Sequence, residues 1–464
     1  MRFEDLKREI GDQLMNGILF EKAKEYAEEY IRDLGRGRVS PDEAAISALG
    51  AFDEPLPAEP SDPEEMLDAL HEIGARATVA QSGGRYFGFV NGANFPVAIA
   101  SRWMGDAWDQ NSALYVMSPI AAKLEEVCEK WVVQLLGLPP ETTAGFVTGS
   151  SAATTCALAA ARDELLRRQG WDIHENGLFG APPLRVVLGA QAHSSVIKAL
   201  SILGIGKSQL HWAEVDDAGR IIPENLPTLD ENTLLIIQAG NVNGGAFDPM
   251  GLLCEAAHRA GAWVHVDGAF GLWAAASETK RALIAGFERA DSWSADAHKT
   301  LNAPYDSGIV LVRDRAALVR AMQATGSYIQ YSENRDAMLY TMEMSRRARC
   351  IELWATLKYL GSSGIGALVD ELCENARYFA KRLSECGFLI ENDVVFNQVL
   401  VRCETDEETT ETLERIQLGG VCWCGGANWK GRSVIRLSVS SWRTGYEDVE
   451  TCVTEFVRAR DASS

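Results

Sequence analysis

The side chains best suited to covalent chemistry lie between positions 264 and 300. An apolar run from Val264 ends in Asp267, and a second short run from Asp291 ends in His298 and Lys299. A buried carboxylate needs a partner, because an unpaired charge in the interior is costly. A lysine amine forms covalent adducts with carbonyl compounds. The pattern therefore suits a cofactor that carries an aldehyde and a protonated ring nitrogen.

Residues 145–154 form a candidate phosphate cradle. A strand pattern leads through small residues, including Ser150 and Ser151, into a helical pattern. Free N–H groups and the positive end of a helix attract an anion, although an ordinary helix cap would use the same residues. Ser294 and His298, which flank the lysine, could also reach the phosphate. The segment lacks the G-K-[ST] sequence of a nucleotide P-loop.

Two further histidines complete the candidate site. His193 follows a strand pattern at 184–188, where open α/β sheets bind ligands. It is predicted to stack on a ring, and the alternative is a capping or surface histidine. His265 shares a strand face with Asp267 and is either its support or a core residue. These pieces, in this order along the chain, indicate a pyridoxal 5′-phosphate (PLP) site.

The elements that must position these residues predict an α/β fold. Strand and helix patterns alternate over residues 84–350, which favours a doubly wound, mostly parallel sheet and a large PLP-binding domain. The predicted strands are 145–148, 184–188, 233–238, 262–267, 291–295 and 308–312. The predicted helices between them include 152–167, 194–203 and 251–260.

Two smaller regions flank this domain. Residues 351–464 predict a small C-terminal α+β domain, with elements at 370–384, 394–403, 407–418, 433–438 and 447–458. Residues 1–83 predict a helical arm without its own core, which we expect to lie on a dimer partner. In the arm, an apolar side chain recurs every fourth residue from Leu6 to Ile18, which predicts one helix. A second helix is predicted from Pro63 towards Gly74.

Composition restricts the class of protein. The chain has 464 residues and a net charge of −21, from 44 basic and 65 acidic side chains, which opposes binding to nucleic acid or anionic membranes. No apolar run approaches the roughly 20 residues of a membrane helix, and no signal peptide is evident, so a cytoplasmic location is expected. The ten cysteines lack framework spacing. Cys422-Trp423-Cys424 alone is weak evidence for a metal, and packed, reduced thiols are expected.

With these motifs, the chain resembles the group II PLP-dependent amino acid decarboxylases of fold type I, within the aspartate aminotransferase superfamily. The resemblance runs from about Leu56 to Asp448. Its further motifs are Arg85-Tyr86-Phe87-Gly88-Phe89-Val90-Asn91-Gly92, Ser118-Pro119 ahead of Leu124-Glu125, Gly240 to Asp248, Ser345-Arg346-Arg347-Ala348-Arg349, Arg436-Leu437-Ser438-Val439-Ser440, and Thr444 before Glu447-Asp448.

The resemblance implies a role for each candidate residue and a homodimer with the active site at the interface. Lys299 would be the Schiff-base lysine, Asp267 the pyridinium partner and His193 the stacking residue. Arg436 would pair with the substrate's α-carboxylate, or would be a solvated arginine at a strand edge, and Asn91 would lie near cofactor and substrate. The cofactor-binding set is Asn91, Ser150, Ser151, His193, Asp267, Ser294, Asp296, His298 and Lys299.

The chain departs from the family pattern in places that bear on chemistry. Asp296 stands where the family usually has Asn, and a carboxylate facing a phosphate is unfavourable unless it turns away or is protonated. The loop that carries a proton-donating tyrosine in the decarboxylases is short here, at 325–344. Its candidate donors are Tyr328, Tyr331 and Tyr340. Other departures are Ala152-Ala153-Thr154 for Glu-Ala-Asn, and Gly84-Arg85 for His-Pro.

The expected function is decarboxylation of an L-amino acid to its amine and carbon dioxide. The Cα proton would come from the 325–344 loop or from His193. The alternatives on the same cofactor are a Cα–Cβ lyase or aldolase, an aminotransferase or a decarboxylation-dependent oxidase, and a further one is a PLP-binding protein without catalysis. The substrate stays open, since Phe87, Phe89, Trp103 and Tyr115 could line an aromatic pocket or belong to the core.

Overall fold

A computed structural model describes residues 3–324, 326, 329 and 331–462. The strands are β1 (Thr143–Val147), β2 (Arg185–Gly189), β3 (Leu210–Ala213), β4 (Thr233–Gln238), β5 (Trp263–Asp267), β6 (Ser292–Asp296), β7 (Gly308–Val312), β8 (Leu389–Ile390), β9 (Gln398–Arg402), β10 (Gly425–Trp429) and β11 (Arg432–Ser438). The α-helices are α1 (Phe3–Asn16), α2 (Ile18–Asp33), α3 (Glu43–Ala48), α4 (Pro63–Ala69), α5 (Pro96–Trp108), α6 (Pro119–Leu136), α7 (Ser150–Arg168), α8 (Ile173–Asn176), α9 (Ser194–Ile202), α10 (Met250–Arg259), α11 (Arg315–Met322), α12 (Cys350–Glu385), α13 (Asp406–Gly419) and α14 (Tyr446–Asp461).

The main element is a seven-stranded sheet of order β1-β7-β6-β5-β4-β2-β3. Strand β7 runs antiparallel to both of its neighbours, and the other pairs are parallel. Helices α7, α9 and α11 pack on one face, and α6, α10 and the first half of α12 pack on the other. Strands β4 to β7 are buried along their whole length, as a sheet covered on both faces requires. The predicted doubly wound, mostly parallel α/β fold is confirmed.

A second sheet of order β10-β11-β9-β8 is antiparallel throughout. Its core is shared with α13, α14 and the second half of α12, and it includes Phe379, Ile435 and Phe456. Helix α12 is 36 residues long and bends at Gly361, whose φ is 61°. The helix thus begins in the core of the large sheet and ends in that of the small sheet.

The prediction of one N-terminal helix was wrong at position 17. Gly17 adopts a left-handed backbone with a φ of 69°, which glycine tolerates without a steric penalty, and the chain forms α1 and α2 instead. Neither helix has a buried residue. Ile10, Leu14 and Ile18 of the apolar stripe are 44%, 65% and 46% exposed. The arm therefore presents an apolar surface that the chain itself does not cover.

Two further properties bear on the sequence expectations. The ten cysteines are free thiols, and all but Cys386 are buried. Among the described residues, no helix combines the length and the apolar character that a membrane crossing requires.

Candidate active site

The predicted catalytic residues meet at the carboxyl edge of the seven-stranded sheet. Asp267, the last residue of β5, pairs in register with Ser294 on β6. Gly308 pairs with both Val147 and Asp296, at the ends of β1 and β6. This register places the start of α7 beside the turn that carries the lysine. The edge therefore gathers the carboxylate, the amine and a helix N-terminus.

Asp267 is buried, with 6% of its surface exposed, yet it has no ion-pair partner among the described residues. Its carboxylate accepts one hydrogen bond of 3.3 Å from the backbone N–H of Ala269. Burial raises the pKa of Asp267, and the charges of His193 and Lys299 oppose that shift. A buried carboxylate with spare acceptor capacity fits a protonated ring nitrogen. The PLP pyridinium supplies that group, so this side of the site fits the cofactor.

Lys299 lies on a turn that three chain segments hold in place. Its Nζ is 2.8 Å from Oδ2 of Asp296, and its side chain is 18% exposed. The Asn302 carboxamide oxygen accepts hydrogen bonds from the backbone N–H groups of Ala93 and Trp442, at 2.9 and 3.0 Å. At Gly92 an added Cβ would lie 2.1 Å from the Lys299 carbonyl oxygen, so only glycine fits there. The amine is therefore held beside Asp296 and stays partly exposed.

Asp296 lies against the predicted phosphate cradle and does not turn away from it. Its Oδ1 accepts a hydrogen bond from the backbone N–H of Ser150, and it is 3.6 Å from Nε2 of His298. Burial alone would raise the pKa of Asp296, but Lys299 and His298 hold it below its ordinary value. A carboxylate anion therefore occupies the start of α7.

The cradle predicted around Ser150 is formed by closely packed backbone. Ser150 is buried as the first residue of α7, and Ser151 is exposed. A Cβ at Gly149 would lie 3.1 Å from Cε1 of His298, and one at Gly308 would lie 2.4 Å from Cα of Gly149. These glycines let the helix start approach the lysine turn. The start of α7 thus lies against His298, while the cradle itself stays a prediction.

His193 is both a helix cap and a member of the site. Its Nδ1 accepts a 3.3 Å bond from the backbone N–H of Ser195 at the start of α9, and lies 2.7 Å from Oγ of the same residue. Burial lowers the pKa of His193, and the charge of Asp267 opposes that shift. The capping alternative and the proposed site are therefore compatible.

Arg436 lies on β11, an interior strand of the small sheet, which differs from the solvated strand-edge alternative. Its guanidinium donates a 3.2 Å bond to the carbonyl oxygen of Val242 and has no carboxylate partner among the described residues. Burial lowers the pKa of Arg436, and Tyr86 opposes that shift. The side chain retains donors for an anion. Asn91 instead bonds Tyr305 and Gln81, each at 2.9 Å.

Ser294 lies beneath the site in a buried network. Its hydroxyl is 3.0 Å from Oγ1 of Thr154 and 3.5 Å from Nε2 of His265. His265 also bonds Ser292 at 3.0 Å, and burial lowers its pKa to about 3. No hydrogen bond joins His265 to Asp267 among the described residues. His265 therefore lies in the surroundings of a core histidine, which was the second of the two alternatives.

Sequence reasoning missed Tyr305. Its ring stacks on His298 with centroids 4.2 Å apart, and its hydroxyl donates a 2.9 Å hydrogen bond to Asn91. Burial raises its pKa. A single aromatic in a turn-rich stretch carries no sequence signal, because only the folded turn brings it back over the histidine. Phe87, in contrast, belongs to the core of the small sheet.

Both described tyrosines of the 325–344 loop are bonded elsewhere. Tyr340 is buried, its hydroxyl accepts a hydrogen bond from Arg315, and Arg335 lies 4.4 Å above its ring. The Tyr331 hydroxyl donates to the carbonyl oxygen of Ala324 at 2.7 Å. The third candidate, Tyr328, lies outside the described residues.

Comparison with solved structures defines the class of fold. The rice (Oryza sativa) protein TDC, solved with PLP and tryptamine, superposes with a TM-score of 0.89 at 22% identity, over 97% of this chain and 98% of that one. Mouse CSAD in its apo form gives 0.87 at 22% identity, over 96% and 99%. These matches establish the architecture of fold type I PLP enzymes.

Sequence comparison establishes the family. Residues 48–403 match the conserved domain of pyridoxal-dependent decarboxylases. The mouse acidic amino acid decarboxylase GADL1 is 32% identical over 302 residues, which cover 62% of this chain and 54% of that protein. The aromatic-L-amino-acid decarboxylase of Bacillus atrophaeus is 28% identical over 85% of each chain. The chain belongs to the pyridoxal-dependent decarboxylase family, whose cofactor is PLP and whose members are carboxy-lyases.

Proposed function

We propose that this protein decarboxylates an L-amino acid to the corresponding amine and carbon dioxide, with Lys299 as the residue that binds the PLP aldehyde. One observation carries the proposal. The partly exposed Lys299 amine lies on a turn just after β6, and the buried Asp267 carboxylate at the end of the neighbouring β5 has no ion-pair partner among the described residues. These are the two complementary groups that the cofactor requires.

The proposed cofactor contacts follow from the chemistry of each donor. Asp267 would accept the ring N–H and keep the ring protonated. The backbone amide of Ser150, with the Ser151 hydroxyl and His298, would meet the phosphate at the start of α7. His193 would stack on the ring, and Ser195 holds its imidazole. Bound PLP supplies an electron-withdrawing system that accepts the electron pair released when carbon dioxide leaves.

Substrate orientation is assigned to Arg436. Its guanidinium lacks an acidic partner among the described residues, and it is half-buried beside Tyr86. A charge-assisted hydrogen bond to the substrate's α-carboxylate would satisfy it. Since Asn91 bonds Gln81 and Tyr305, we assign it to the wall of the site beside the lysine turn.

His193 is proposed to hold the proton for Cα. Tyr331 and Tyr340 are bonded away from the predicted site residues, whereas His193 lies within electrostatic reach of Asp267 and Lys299. A positioned general acid contributes about 10²–10⁴-fold to a rate. Loss of this acid would slow amine release.

The quaternary structure proposed for the enzyme is a homodimer. The apolar stripe on α1 and α2 is uncovered in the single chain, and its burial against a second copy would stabilise both. The active site would then lie close to the interface, as the resemblance implies.

The decisive experiment compares Lys299→Ala with Lys198→Ala, a control at an exposed lysine on α9. We expect the purified Lys299→Ala protein to lose the visible absorbance of lysine-bound PLP and all amine production, and the control to keep both. Assays with aromatic and acidic L-amino acids should yield carbon dioxide and amine in equal amounts. An unchanged spectrum in Lys299→Ala would refute the assignment, and a keto acid or aldehyde as the main product would refute decarboxylation.

A further inference from the structure

One carboxylate binds both groups that the cofactor needs. Asp296 accepts the backbone N–H of Ser150 through Oδ1 and pairs with the Lys299 ammonium, 2.8 Å from Oδ2. Only 1% of its side chain is exposed. The amide belongs to the proposed phosphate site, and the ammonium to the proposed aldehyde site. The aldehyde and the phosphate of PLP, which are on neighbouring ring carbons, would therefore both meet this one internal anion.

The backbone of Asp296 is held in place by hydrogen bonds, which restricts where its carboxylate can move. Its carbonyl oxygen accepts the Trp273 indole N–H at 2.9 Å, and its own N–H donates to the carbonyl of Ala269 at 2.9 Å. Gly149 and Gly308 pack against each other beside it. Only rotation of the side chain can move the carboxylate away from the start of α7.

A phosphate that enters this space meets a buried negative charge. Repulsion between like charges is strong where water is excluded, and it lowers the affinity for the anion. In the cofactor-free protein the same carboxylate is favourable, because it neutralises Lys299 and accepts from the first amide of the helix. The arrangement stabilises the empty site relative to the loaded one.

We propose that Asp296 is an internal competitor of the PLP phosphate, which holds Ser150 and Lys299 until the cofactor displaces it and so weakens cofactor binding. The inference rests on the proposed roles of Lys299 and Ser150. It makes the protein an enzyme that exchanges PLP with solution readily.

The test measures dissociation constants of PLP and of pyridoxal, which has the aldehyde but no phosphate, for the cofactor-free protein and its Asp296→Asn and Asp296→Ala variants. Because both ligands bind through the aldehyde, the ratio of the two dissociation constants measures the contribution of the phosphate to binding. Asp291→Asn is the control, since it removes the same charge from a carboxylate at the opposite end of β6, where Asp291 pairs with His258.

We expect the preference for PLP over pyridoxal to rise at least about tenfold in both Asp296 variants and to stay unchanged in the control. An unchanged or lower preference for PLP in either variant would overturn the proposal. Tighter PLP binding in Asp296→Asn alone is not sufficient, because the asparagine amide is a new hydrogen-bond donor to the phosphate. If neither variant folds, the wild-type ratio decides: a phosphate contribution below about tenfold supports competition, and a larger one contradicts it. Titration of Lys299→Ala with the same two ligands reports whether the aldehyde binds residue 299 at all. It therefore distinguishes a failure of the proposed function from a failure of the proposed competition.

Discussion

At the scale of single residues, the site is defined by charges that the chain leaves incompletely satisfied. Within the described part of the chain, the buried Asp267 has no cationic partner and the half-buried Arg436 has no anionic one. Lys299, in contrast, is paired with Asp296. A ligand with a protonated ring nitrogen and a carboxylate would satisfy the first two. This complementarity connects the charges of the chain with the chemistry proposed for it.

Arg436→Ala tests the carboxylate contact. We expect KM for the amino acid to rise roughly tenfold to a hundredfold, the value of one hydrogen bond to a charged group, while binding of the product amine, which lacks the carboxylate, changes little. Steady-state kinetics and inhibition by the amine measure the two effects. Arg432→Ala is the matched control, because Arg432 is an exposed arginine on the same strand. Equal losses of amino acid and amine affinity in Arg436→Ala would count against the role.

At the scale of elements, the site depends on the contact between the end of β1 and the start of β7. An added methyl group at Gly308 would meet the backbone of Gly149 at 2.4–2.7 Å, where no side chain can adjust. The separation of these two strands therefore sets the distance between the helix start and the lysine turn.

For Gly308→Ala we expect a loss of about 1–3 kcal/mol in the free energy of unfolding, typical of overpacking, together with weaker PLP binding. Denaturant unfolding of the cofactor-free protein and titration with PLP measure both. Gly425→Ala is the control, because a Cβ there meets nothing within 4 Å. Wild-type stability in Gly308→Ala would show that the strands can separate without cost.

The sequence predicted the interior of this architecture better than its margins. Strands β4 and β7 were predicted with their observed bounds, because fully buried strands are continuous apolar runs. Strands β3, β8 and β10 were missed, since β3 exposes half of its residues, β8 has two residues and β10 starts with two glycines. The apolar period also continued across Gly17, whose backbone breaks the helix.

Within the site, sequence spacing indicated which residues lie at the same edge of the sheet, but it did not indicate which of them form hydrogen bonds with each other. The antiparallel insertion of β7 between β1 and β6 brings Ser150 onto Asp296, and no local pattern reports such a register. Tyr305 was missed for the same reason, because its contact with His298 depends on the path of the turn. Contacts between residues far apart in the sequence could not be predicted from local sequence patterns.

At the scale of the whole molecule, the exposed apolar stripe of α1 and α2 points to assembly. We expect the protein to sediment at twice its chain mass of 50.6 kDa, and Leu14→Glu to shift it towards the monomer. A buried charge without a partner would oppose association. Phe179→Glu, at a residue 99% exposed outside the arm, should leave the dimer intact. A monomeric wild-type protein, or an unaffected Leu14→Glu dimer, would contradict the proposed interface.

Helix α12 has a consequence for how the molecule holds together. Leu353 and Leu357 pack into the core of the large sheet, while Phe379 and Leu383 pack into that of the small one. A chain cut at residue 350 would separate the whole of α12 from the large sheet, so the large-sheet core would lose part of its cover and the first half of the helix would lose its packing partner. Because α12 contributes to the cores of both sheets, unfolding of either core would remove packing contacts from the helix and destabilise the other core.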